Sequence, residues 1–225
     1  VYYDDALRNG MREPEVAARL PEILERLNPN GWRGGVPVSG KTHAAWQSEI
    51  GTATASRASN ARRRAAAERA VAMATRFGPT DSRLAFSYYI LGRLSLATAP
   101  EAALPAFLQA RRIYKTRPDT AIQQAHVAMQ VAAFQLSAGQ ADDAITLVDQ
   151  SLPAVNRAEH AALLSLLLMV KAESLELLGR PVEASRAQKE ALAWARYGFG
   201  SEAEVRNRAA EIQAISPRFR QGDPA

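Results

Sequence analysis

Apolar and small residues recur along this chain at helical spacing, between breaks that are themselves evenly placed. Clean period-two alternation is absent, and β-branched or aromatic runs of strand type are scarce. From Lys41 to Pro217 the pattern predicts successive helices. Their breaks fall at Gly78-Pro79, Thr98-Ala99-Pro100, Pro118-Asp119, Gly139, Asn156, Gly179-Arg180-Pro181 and Gly198–Gly200. Residues 1–40 read differently, with a short helix at Asp4–Asn9, a stronger one at Glu13–Leu27, and then a Gly-, Pro- and Asn-rich loop to Gly40. The Glu13–Leu27 helix carries an apolar stripe of Val16, Leu20, Ile23, Leu24 and Leu27, suited to cap a helical stack or to lie in its groove. The expected organisation is an extension over 1–40, a helical domain over 41–217 and a tail over 218–225.

The breaks define a repeat. Three helical hairpins superimpose: Ser82–Ala97 with Glu101–Tyr114, Ala121–Ala138 with Ala141–Val155, and His160–Leu178 with Val182–Tyr197. Small residues in their second helices fall at Ala103, Ala144 and Ala184, and again at Ala110, Ser151 and Ala191, spaced 41 and 40 apart each time. One period earlier stands Ala70, so Asn60–Phe77 reads as the second helix of a degenerate hairpin that begins at Thr42–Ala55. A Ser-x-x-Glu capping box at Ser201 and Glu204 predicts a last helix, Ser201–Ile215, closing the end of the array.

In Leu91-Gly92, Ala103-x3-Phe107-x2-Ala110 and Ala132-x6-Gly139-x4-Ala144, the chain resembles tetratricopeptide repeats over about residues 42–216. The resemblance implies an all-α solenoid of antiparallel hairpins with a C-terminal capping helix. Two departures are visible: a period near 40 instead of the usual ~34, and Gln188 where the first repeat has Phe107. The resemblance also implies that the first helices of the hairpins line a concave, mostly apolar groove. Its positions would be Phe86, Tyr89 and Arg93, then His126, Met129 and Ala133, then Leu166, Met169 and Glu173. Such a surface suits a partner's helix or peptide segment, with methionines that adapt to its shape. The opposing expectation is that these residues simply pack between repeats.

Composition agrees with helix. Hydrophobic residues make up 47% of the 225, many of them alanine, the best helix former. Cysteine is absent, which removes disulfides, thiolate catalysis and cysteine-bound metal. The longest apolar run, Ala161–Val170, is too short for a membrane span, which needs ~20 residues. The chain begins at Val1, so a targeting segment or further chain is expected before it, and the compartment, cytoplasmic or exported, stays open. Net charge is +5. The densest basic run, Arg57–Arg76, reads as a solvated helix face or a contact for an acidic partner. Nucleic acid is disfavoured because no binding motif or aromatic stacking cluster accompanies the charge.

One motif carries chemistry. Gly35-Val-Pro-Val-Ser-Gly40-Lys41-Thr42 satisfies the phosphate-loop pattern G-x-x-x-x-G-K-[ST]. In that reading backbone amides cradle phosphate, Lys41 meets the terminal phosphates and Thr42 holds Mg²⁺. The pattern needs a hydrophobic strand just before it and a later strand ending in Asp, and neither is found. His43, His126 and His160 stand at no metal-ligand spacing, and no catalytic constellation appears. Trp32, Trp46 and Trp194 read as packing anchors. The chain is therefore expected to be non-catalytic, without cofactor or metal, and to bind another protein as a scaffold or adaptor, with self-association open. The alternatives are the sensor or docking part of a larger regulator, and a nucleotide-binding protein built on the phosphate-loop match.

Overall fold

The computed structural model describes residues 40–96, 99–155 and 159–199; the expected helices at Asp4–Asn9, Glu13–Leu27 and Ser201–Ile215, with the 218–225 tail, lie outside them. Among the described residues eight α-helices follow one another: α1 Gly40–Thr54, α2 Asn60–Ala74, α3 Ser82–Ser95, α4 Pro100–Tyr114, α5 Ala121–Ser137, α6 Ala141–Ser151, α7 Ala161–Leu177 and α8 Pro181–Phe199. Short 3₁₀ turns at Thr75–Phe77, Pro118–Thr120 and Leu152–Ala154 complete the regular structure, and no strand occurs among the described residues. The protein is all-α and solenoid-like in its local packing: α1 packs on α2, α2 on α3 and α3 on α4, and further along α6 packs on α7 and α7 on α8. The chain divides within the first turn of α5 into two units, residues 1–123 and 124–225.

Local chemistry sets the helix ends. Ser59 accepts a hydrogen bond from the Arg62 amide to start α2, and Asp81 accepts one from the Arg83 amide to start α3. Pro100 occupies the first turn of α4, where its missing N–H costs nothing. Helices α5 and α7 stop in the same way. At each stop a glycine takes the left-handed conformation, Gly139 at φ 78° and Gly179 at φ 69°. The next amide then reaches back five residues, Gln140 N to Gln135 O at 2.9 Å and Arg180 N to Leu175 O at 2.9 Å. A Cβ at either glycine would meet nothing within 4 Å, so backbone conformation is what requires glycine there. The two stops lie 40 residues apart, the period read from the small residues.

Within the first unit, α3 packs against both α2 and α4. The crossing of α3 and α4 is closed by one pair: a Cβ on Gly92 would lie 2.7 Å from Cε1 of Phe107, whose ring is fully buried. Only glycine admits that ring. Beside it Ala103, Ala106 and Ala110 are buried, and Tyr89 packs on the Phe107 ring with centroids 6.0 Å apart. Helix α2 packs against both α1 and α3; its Ala66, Ala67, Ala70 and Ala74 are at zero exposure, as are Trp46, Ile50 and Ala53 of α1.

In the second unit α7 is buried almost all the way round and packs against α6 and α8. Ala184 and Ala191 of α8 are buried, and Ser165 Oγ donates to the Ala191 carbonyl at 2.8 Å across the α7–α8 crossing. Lys171 Nζ reaches Asp149 Oδ1 at 2.6 Å, linking α7 to α6. Helix α8 ends at Phe199, within the expected break at Gly198–Gly200. Gly198 serves a close approach: a Cβ there would strike the backbone of Ala161 and Ala162 in α7.

Gly92→Ala is expected to destabilise the chain by ~1–2 kcal/mol, the overpacking penalty outweighing the gain in helix propensity. Denaturant unfolding measures it. In a Phe107→Leu background the same change becomes neutral or stabilising, since the obstructing ring is gone.

Candidate interaction surface

The nine groove positions predicted from the sequence sit on α3, α5 and α7. Three belong to the first unit. Phe86 and Arg93 are half-buried, while Tyr89 between them is 7% exposed and turned onto Phe107. Six belong to the second unit. His126 on α5 is half-buried, with Met129 and Ala133 buried; Leu166 and Glu173 on α7 are half-buried, with Met169 buried. The positions therefore divide by depth. Tyr89, Met129, Ala133 and Met169 are core side chains, and Phe86, Arg93, His126, Leu166 and Glu173 reach solvent in part. The three outermost apolar or ring side chains, Phe86, His126 and Leu166, fall 40 residues apart, one on each first helix.

The phosphate-loop match lies at the start of α1. Gly40 is the first residue of the helix, Lys41 is exposed and Thr42 half-buried, while Gly35 lies outside the described residues. The helix that should follow such a loop is present. No strand ending in a carboxylate accompanies it among the described residues, and no other residue comes within 4 Å of a Cβ built on Gly40. Nor do three or more His, Asp or Glu side chains gather as a metal site among the described residues. No described helix is long and apolar enough to cross a membrane.

The most elaborate polar cluster joins α1 to α3. Asp81, fully buried, pairs both oxygens with Arg83: Nε to Oδ1 at 2.9 Å and Nη2 to Oδ2 at 2.8 Å. The Arg83 guanidinium lies 3.6 Å over the Phe77 ring and brings Nη1 to 3.2 Å from His43 Nδ1. With arginine the permanent donor, that histidine nitrogen accepts. Trp46 stands edge-on to Phe77 and donates from Nε1 to Ser87 Oγ at 2.9 Å, and Ser87 Oγ donates onward to the Arg83 carbonyl at 2.8 Å. Every strong group in the cluster is engaged by another, and no nucleophile faces a cleft. Its work is to fasten α1 to α3.

These contacts join residues 40 and 41 apart, His43 to Arg83 and Trp46 to Ser87. The period of the small residues is thus also the separation of contacting helices. Sequence reasoning placed His43 at no ligand spacing and stopped there. The signal available was that His43 and Arg83 differ by one repeat.

No family model matches the chain, and no curated protein shows significant similarity to it.

His43 binds its proton less readily than an ordinary histidine, first because it is partly buried and then because the Arg83 cation is adjacent; Asp81 opposes both. Its folded pKa therefore lies below the unfolded value, so in acid the unfolded chain takes up more protons. Stability is full above the ordinary value of 6.5 and falls as pH drops through it toward the lowered folded value. Unfolding midpoints from pH 7.5 down to 5.5 are expected to show this loss. His43→Gln, which keeps an acceptor for Arg83, flattens the profile over that window.

Proposed function

We propose that this chain is a non-catalytic protein-binding module that takes a helix or extended segment of a partner against its first helices. The single observation that supports the reading is the repetition of Phe86, His126 and Leu166. Each stands partly exposed at the same place in its hairpin, while the next residues inward form the core. Partly exposed apolar and ring side chains at regular intervals on rigid helices are a means by which repeat arrays grip an amphipathic segment. The resemblance to tetratricopeptide repeats rests on the same register, and the Gly92–Phe107 crossing accords with the family's small-residue pattern.

Because Tyr89 and Met129 are core residues, substitutions there would confound binding with folding. Phe86→Ser and Leu166→Ser, each at a half-buried site, are the discriminating changes. Affinity capture from the native organism is expected to lose its co-purifying protein with either variant, while helicity by circular dichroism stays as in the parent. Undiminished capture by both variants would remove the first helices as the binding face.

A further inference from the structure

The charge of this chain is unevenly placed. Residues 40–120 hold thirteen Lys and Arg against five Asp and Glu, whereas residues 121–199 hold six against eight. Much of the excess sits on α2, whose sequence Asn-Ala-Arg-Arg-Arg-Ala-Ala-Ala-Glu-Arg-Ala carries four arginines and one glutamate. The buried alanines of α2 lie on the side spent on its neighbours α1 and α3. The outer face reads Arg62, Ala65, Arg69, Ala72 and, in the following 3₁₀ turn, Arg76; all are exposed except Ala65, which is half-buried. This is a heptad seam with arginine at one position and alanine at the other. At ~1.5 Å per residue the arginines stand ~10 Å apart over a line of ~20 Å.

The carboxylates nearby are already engaged. Glu49, the one acid on α1, holds Arg69 through two bonds at 2.9 and 2.8 Å, and Glu68, the one acid on α2, holds Arg64 at 3.1 Å. Arg62 and Arg76 have no carboxylate partner among the described residues. An ordinary solvated helix face intersperses both signs of charge. Here the stripe has no carboxylate of its own and, with Arg69 paired to Glu49 of α1, keeps its excess charge at Arg62 and Arg76. The alanines between are too small to keep a neighbour away.

We propose that this face of α2 docks an acidic helix of a partner protein, one that presents carboxylates at seven-residue spacing. Alanine at 65 and 72 lets a second helix approach to the ~8 Å of close helix pairs. Arg62 and Arg76 then meet its carboxylates in forked pairs, the geometry at which arginine surpasses lysine. A nucleic-acid backbone fits this face less well: Glu68 stands exposed beside the stripe, and no aromatic side chain on α2 offers a stacking surface. The surface is separate from the first helices and does not depend on what they bind.

The test uses the full chain and two synthetic alanine-rich helical peptides of equal composition. One carries its glutamates on a single face at seven-residue spacing, and the other spreads them around the helix. Fluorescence anisotropy at low salt is expected to give the aligned peptide roughly tenfold tighter binding, weakening as salt rises. Arg62→Glu with Arg76→Glu abolishes it, while thermal unfolding stays within a few degrees of the parent. Equal binding of the two peptides, or no binding of either, overturns the proposal. So does tighter binding of a DNA duplex lost in the same variant, or a self-association of the chain that this variant alone dissolves.

Discussion

The crossing of α3 and α4 depends on the seating of the Phe107 ring on the bare backbone of Gly92. Two helices joined by a short turn gain little from each other unless their axes come close, and an ordinary side chain at the crossing would hold them apart. Glycine on one side and a large ring on the other resolve this with a single dense contact. Around it Ala103, Ala106 and Ala110 on α4 and Tyr89 on α3 are buried as well. In the second unit the same demand is met with other letters. Ala184 and Ala191 lie buried on α8, Ser165 reaches the Ala191 carbonyl, and Gly198 admits the start of α7.

Packing of this kind ties the hairpins to one another within the first unit. Helix α3 is covered on one side by its own partner α4 and on the other by α2. The Asp81–Arg83 pair with His43, Phe77 and Trp46 adds a directional clamp to an otherwise non-directional alanine contact. A buried ion pair is seldom a large net gain in stability. What this one supplies is register, because the fork of Arg83, the indole of Trp46 and the imidazole of His43 satisfy one another in a single arrangement. Apolar burial brings α1 to α3, and the polar cluster determines where along α3 it stops.

Much of this was legible beforehand because the signals are local. Gly139 and Gly179 end their helices through backbone conformation, Pro100 and Pro181 begin theirs, and the alanines mark crossings; each acts within a few residues of its own position. The hairpin boundaries from the sequence accordingly agree with the helices to within a few residues. The break at Gly198–Gly200 was readable too, since α8 ends at Phe199. The close approach of Gly198 to Ala161 and Ala162 was not, because sequence cannot show which neighbour a glycine lets in. The groove positions show the same limit. Their spacing was readable, yet which of three residues on a helix face sinks into the core depends on the partner helix, and so Tyr89, Met129, Ala133 and Met169 were not separable from Phe86 and Leu166. The cluster around Arg83 was missed because its members are distant in sequence and unremarkable one by one.

The central claim is that hairpins stack one repeat apart, and the bond from Trp46 to Ser87 tests it most directly. In solution NMR of the full chain, with the indole signal assigned by its disappearance in Trp46→Phe, the Trp46 Nε1 proton is expected to exchange slowly with solvent. It is also expected to show cross-relaxation to the Ser87 side chain, 41 residues away. An indole proton that exchanges freely and shows no such cross-peak would contradict the stacking of α1 on α3, and with it the repeat register of the first unit.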